Sequence, residues 1–205
     1  MSIKNKKFLE NYINSFSKTI NYNENISEKF IKTLNILKKF KKKNRVHIFG
    51  NGGSAPIASH FSMDLSNNSS IKCLNYNDPA IITCYANDFK FENWISRVIK
   101  KYGDKGDLLI LISSSGESAN MIRAVKSAKQ KKFNSIITFT GFKNNNSLSK
   151  LGDINFWINS KNYNSVEFYW ATRPNERVIQ LIHAQTISFG TPSTRVRVPV
   201  PVGTW

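Results

Sequence analysis

Two short stretches carry the residue types that hold an anion. Asn51-Gly52-Gly53-Ser54 follows the apolar run Val46-His47-Ile48-Phe49-Gly50, and Ser113-Ser114-Ser115-Gly116-Glu117-Ser118 follows Leu108-Leu109-Ile110-Leu111-Ile112. A buried strand that ends in small residues and opens a helix aims backbone N–H groups and hydroxyls at one spot. That spot suits a phosphate or another anion, and two such turns in one parallel sheet point to a sugar-phosphate site. Ser113, Ser114, Ser115 and Ser118 are the candidate phosphate contacts, because hydroxyls and helix N–H groups are short neutral donors. The same serines would also cap the following helix. Asn51, Gly52, Gly53 and Ser54 are the candidate sugar contacts. Glycine lacks the Cβ that keeps a ligand from the backbone, although packing alone also accounts for two glycines. Glu117 would stand beside a dianion and is expected to point outward.

Other residues could add to this chemistry. Asn87 and Asp88 suit hydrogen bonds to sugar hydroxyls, and they would equally suit a loop cap. His60 and Asp64 are spaced to share one helix face. The pair could touch substrate or ligate a metal, but two donors alone do not make a zinc site. His47 lies within the first apolar run and reads as a core or edge histidine.

The elements that position these residues follow from hydrophobic period. Helices are expected over 3–20 and 26–43, the second with Phe30, Ile31, Leu34, Leu37 and Phe40 at helical spacing. Strands are expected over 46–49, 71–74, 81–84, 108–112, 135–140 and 154–158. Helices are expected over 55–65, with Pro56 in its first turn, and over 91–100 and 119–131. Strands alternating with helices imply right-handed βαβ units and a parallel sheet covered on both faces. The implied organisation is a helical hairpin (1–44), an α/β domain (45–188) and an atypical tail (189–205).

The chain has 205 residues, 40% of them hydrophobic, which suffices for one ordinary core. No apolar run reaches the length of a membrane span, and the basic N-terminus lacks a cleavage site, so a cytoplasmic protein is expected. Cys73 and Cys84 show neither metal-like spacing nor a disulfide framework. The net charge of +17 raises nucleic acid or an acidic membrane as partners. However, the lysines are scattered among asparagines. The one dense run, Lys38-Lys39-Phe40-Lys41-Lys42-Lys43, falls at a helix C-terminus, where cations complement the dipole. No specific nucleic acid and no membrane partner is expected.

The character changes after about residue 170. Lysine stops at Lys161, arginine replaces it, and Pro174, Pro192, Pro199 and Pro201 fall here. A helix over 176–187 fits, capped by Asn175 and carrying His183. From Thr191 to Trp205 no period is visible. A surface tail, an edge strand, a disordered terminus and a segment of different coding origin all fit.

Several motifs together resemble the sugar isomerase (SIS) domain family, and within it the phosphoheptose isomerases. They are Phe49-Gly50-Asn51-Gly52-Gly53-Ser54 with His60-Phe61, then Tyr85-Ala86-Asn87-Asp88-Phe89, then Ile112 through Asn120, then Thr138-Phe139-Thr140-Gly141. The similarity spans residues 30–160. It implies a three-layer α/β/α sandwich with a doubly wound parallel sheet, assembled as a homotetramer with active sites between subunits. The implied reaction interconverts sedoheptulose 7-phosphate and D-glycero-D-manno-heptose 7-phosphate for surface heptose, as in lipopolysaccharide or capsule. It runs through an enediol and needs a base near one carbon and an acid near the carbonyl. The family uses a glutamate on the helix after the Gly turn and a histidine on the last helix. Asp64 aligns with that glutamate, one methylene shorter. His183 aligns with the histidine if Glu176 begins the match. A rival alignment starts the last helix at Val166-Glu167-Phe168-Tyr169-Trp170 and makes His183 incidental. No cofactor is required; some members bind zinc, for which His60, Asp64 and His183 are the candidates. The alternative function is a non-catalytic SIS module that binds a phosphosugar or a replication initiator.

Overall fold

The computed structural model describes residues 24–41 and 43–172, with a few positions between 6 and 14. Most of the first expected helix, the tail and His183 lie outside the described residues. Five parallel strands form one sheet in the order β2-β1-β3-β4-β5. They are β1 (Arg45–Gly50), β2 (Lys72–Asn75), β3 (Leu108–Ser113), β4 (Ser135–Thr140) and β5 (Ile154–Trp157). The helices are α1 (Glu24–Lys38), α2 (Ser54–Asn67), α3 (Pro79–Phe89), α4 (Trp94–Tyr102), α5 (Ala119–Gln130), α6 (Ser147–Leu151) and α7 (Tyr163–Thr172), with a 3-10 turn at Phe91–Asn93.

The sheet is covered on both faces, which is why β3 and β4 read as unbroken buried runs. Alternate residues divide between the two layers. Val46, Ile48, Ile110, Ile112, Ile137 and Phe139 meet Phe30 and Leu37 of α1, Ile57 and Phe61 of α2, and Val166 and Trp170 of α7. Phe49, Leu109, Leu111 and Ile136 meet Trp94 and Val98 of α4 and Met121 and Val125 of α5. The helices that leave β1 and β3 therefore lie on opposite faces. The strand order reverses between β1 and β3, and a crevice opens at their carboxyl ends, where ligands bind in open α/β sheets.

One expected strand is a helix. Ile81-Ile82-Thr83-Cys84 favours a strand by local propensity, yet it lies within α3. The Asp78 carboxylate accepts from the N–H groups of Ala80 (2.9 Å) and Ile81 (3.2 Å), and Pro79 takes the first helical position. That Asp-Pro start was the overlooked signal. Other differences accompany it: the expected strand 71–74 begins and ends one residue later, the expected helix 91–100 opens with the 3-10 turn, the expected helix 26–43 ends at Lys38, and α6 and α7 have no counterpart among the expected elements.

The lower ends of β1 and β3 are clamped by one carboxylate. Asp107, fully buried, accepts from His47 Nε2 (2.8 Å), Arg45 N (2.9 Å), Asp104 N (2.9 Å) and Asn44 Nδ2 (3.3 Å). His47, expected in the core or at an edge, is fully buried and packs on Tyr76 and Phe133. Burial works to raise the Asp107 pKa, but the His47 hydrogen bond and the two backbone donors outweigh it and hold the carboxyl below its usual value. Asp107→Ala should therefore lower stability by about 3 kcal/mol, read from urea unfolding at neutral pH. Because the folded pKa is depressed, this contribution is full above the unfolded value of about 3.9. It is lost as pH falls through the lower folded value, so the wild-type advantage over the variant should shrink on acidification.

Candidate active site

Both anion-ready turns leave adjacent strands in register, Gly50 beside Ile112. They are then joined side chain to side chain. Asn51 Nδ2 donates to Asn120 Oδ1 and Asn120 Nδ2 donates to Asn51 Oδ1, each at 2.9 Å. Asn120 Oδ1 also accepts from Met121 N, which fixes the amide's orientation. Asn120, the last residue of the Ile112–Asn120 motif, thus ties the serine turn to the Gly turn.

The serine turn keeps its hydroxyls for something other than capping. Ser118 stands at the N-cap of α5, but its side chain makes no capping hydrogen bond; its Oγ lies 3.4 Å from Ser113 Oγ. Ser114 Oγ is buried and without a hydrogen-bond partner among the described residues. Leaving such a group unpaired costs roughly 1–3 kcal/mol, so the turn is organised for an incoming acceptor. Ser115 Oγ accepts from Glu117 N at 3.2 Å. Gly116 adopts φ +67° and passes so close to Asn146 that a Cβ would lie 2.1 Å from its Oδ1. Glu117 does point away from the turn, as expected. Its carboxylate caps α6 through Ser147 N (2.9 Å) and Ser147 Oγ (2.5 Å), which holds its pKa below the usual carboxylate range.

The glycine turn already has an anion of its own. Gly52 is exposed with φ +52°. Above Gly53 sits the carboxylate of Glu167 from α7, whose Oε2 would be only 2.1 Å from a Cβ at that position. Glu167 Oε1 lies 3.5 Å from the Oγ of buried Ser54. Helix α2 has no acidic residue in its own first turn, so Glu167 supplies the negative charge that a helix N-terminus favours. Two unit charges 4 Å apart repel by about 4 kcal/mol at an effective dielectric of 20. The glycine turn is thus the less favourable of the two for a second anion.

The remaining candidates lie elsewhere. His60 Nε2 and Asp64 Oδ2 pair at 3.2 Å on the outer side of α2. At 1.5 Å per residue, Asp64 is about 15 Å along the helix from Ser54. Asn87 and Asp88 are exposed in the last turn of α3, where Asn87 Nδ2 donates to Asp88 Oδ1 at 3.1 Å. Among the described residues, neither side chain hydrogen-bonds to either turn. No group of three metal-ligating side chains occurs among the described residues.

Family models described as SIS domain match residues 10–141 and residues 99–187. The phosphoheptose isomerase of Buchnera aphidicola subsp. Acyrthosiphon pisum is 35% identical over 153 residues, which cover 72% of this chain and 75% of that protein. The structure of a phosphoheptose isomerase from Neisseria gonorrhoeae matches with a TM-score of 0.75 at 20% identity, over 89% of this chain and 98% of that one. One from Francisella tularensis matches with a TM-score of 0.73 at 22% identity, over 90% and 100% of the two chains. These two structures share the fold.

The coupling of the two turns can be measured. In a double-mutant cycle of Asn51→Ala and Asn120→Ala, the second change should cost about 1–2 kcal/mol less once the first is made. Additive losses in urea unfolding would show that the amide pair carries no coupling.

Proposed function

The chain belongs to the SIS domain family and is related to its phosphoheptose isomerases, and from that premise we propose that it interconverts sedoheptulose 7-phosphate and D-glycero-D-manno-heptose 7-phosphate. The protein is an aldose–ketose isomerase. The observation that carries this for the chain itself is the pair of turns joined by Asn51 and Asn120, with the buried Ser114 hydroxyl left without a partner among the described residues. The phosphate binds Ser113, Ser114, Ser115 and Ser118, and its contacts satisfy the buried Ser114 hydroxyl. The sugar runs across Asn51, Gly52, Gly53 and Ser54, with Asn87 and Asp88 as further hydroxyl contacts.

The reaction removes a proton from C1 of the ketose and returns one to C2 through an enediol. Asp64 is the proposed carbon base and His183 the second group. The distance of about 15 Å along α2 separates Asp64 from its own chain's Gly turn. It therefore serves the site of a second copy, in a homotetramer. Two features support assembly: Met63 is 57% exposed beside Asp64, and α3, rich in Ile, Tyr and Ala, buries no residue within one chain. The product feeds surface heptose synthesis.

We propose that the reaction runs in the cytoplasm. No helix among the described residues is long and apolar enough to cross a membrane. Cys73 and Cys84 are free, and burial pushes the Cys73 thiol up to about 12, which keeps it protonated and inert. His60 and Asp64 offer a zinc two donors, one short of the three protein ligands of a catalytic zinc. The described residues alone do not complete such a site.

Purified protein incubated with sedoheptulose 7-phosphate in D2O should yield an aldose phosphate carrying deuterium at C2. Asp64→Asn should lower kcat by about 10²–10⁴, and Ser114→Ala should weaken phosphosugar binding by about 1.5–3 kcal/mol. Binding without turnover would favour the non-catalytic module instead.

A further inference from the structure

An isomerase of this kind moves two protons, one between carbons and one between oxygens. We infer that Glu167 carries the oxygen-bound proton, shuttling it between O1 and O2 of the substrate while another group serves the carbons. This rests on the isomerase reading above. In the ketose-to-aldose direction the C1–H bond breaks and its electron pair becomes the C1=C2 bond. The C2=O2 electrons move onto O2, giving an enediolate. One Glu167 oxygen accepts the proton leaving O1 and the carboxyl returns a proton to O2, so Glu167 ends ionised as it began. The carbon base returns its proton to C2. No oxidant or co-reactant is needed.

Three observations place Glu167 in this role. First, its carboxylate stands over the Gly turn, in the space a Cβ on Gly53 would fill, at the crevice between β1 and β3. It is 113 residues from Ser54 in sequence, so the fold brings it there. Second, its platform is rigid. Val166, Tyr169 and Trp170 are buried on the same helix, and Trp170 packs edge-on against Phe139 and Phe156. A proton-moving group held by a packed helix keeps its geometry through turnover.

Third, the carboxylate is underused as a structural group. Its one hydrogen bond among the described residues, from Ser54 Oγ, is at the 3.5 Å limit. The chain has 30 Lys and Arg against 13 Asp and Glu, yet among the described residues no cation lies within 4 Å of Glu167. By contrast Glu117, with a capping role, makes short bonds to both Ser147 donors. A carboxylate with open acceptor capacity beside a ligand crevice is placed to take a substrate hydroxyl.

The test uses the full chain and sedoheptulose 7-phosphate. Glu167→Gln keeps the shape and an acceptor for Ser54 but cannot carry a proton. It should lower kcat by about 100-fold or more, leaving KM within about threefold and lowering the urea midpoint only slightly, through the charge lost at the α2 N-terminus. Glu167→Ala should regain activity when formate is added, since the small carboxylate fits the vacated space. A Gln variant with kcat near wild type, or an Ala variant insensitive to formate, overturns the assignment while leaving the isomerase reading intact. A wild-type protein with no turnover overturns both.

Discussion

The pairing of β1 with β3 is the constraint on which the site depends. Each strand delivers one anion-ready turn, and the strand order reverses between them, so their following helices diverge to opposite faces. The pair is locked at both ends. Asp107 gathers His47, Arg45 and Asn44 at the lower end, and the Asn51–Asn120 amides close the upper end. A slip of one register would move alternate residues to the other face and separate the turns. The buried polar groups thus specify where the two turns meet, at a desolvation cost offset by complete hydrogen bonding of Asp107.

Electrostatics then divides the labour between two turns that look alike. The Gly turn is taken by Glu167, and the serine turn is kept clear because Glu117 is drawn away to Ser147. Coulomb repulsion of a few kcal/mol at short range favours the serine turn over the glycine turn as the proposed phosphate position. The dense lysine run lies around the C-terminus of α1, at the strand-start end of the sheet, away from the turns. Its lysines line a cavity of about 580 Å³ there, with Asn44 and Gly106.

Much of this was legible in sequence because continuous apolar strands and small-residue turns have local causes. Val46–Phe49 and Leu108–Ile112 are buried strands because both faces are covered, and an unbroken apolar run is what that requires. What stayed hidden depended on distant partners or on a cap outweighing propensity. Ile81–Cys84 has strand-forming residues, but Asp78 and Pro79 start a helix. Glu167 was visible only as the start of a rival alignment, since nothing local shows that α7 returns to the Gly turn. Asp107 carried no motif at all; its value comes from four donors brought together by strand pairing.

The central claim is that the two turns form one site, with phosphate at the serines and sugar across the glycines. A crystal structure of the protein grown with sedoheptulose 7-phosphate tests it most directly. The account predicts phosphate oxygens within hydrogen-bond distance of Ser113–Ser118 and the sugar chain passing Gly52 and Gly53 toward the Glu167 carboxylate. A phosphate seated at the Gly turn, or bound among the lysines at the far end of the sheet, would contradict it.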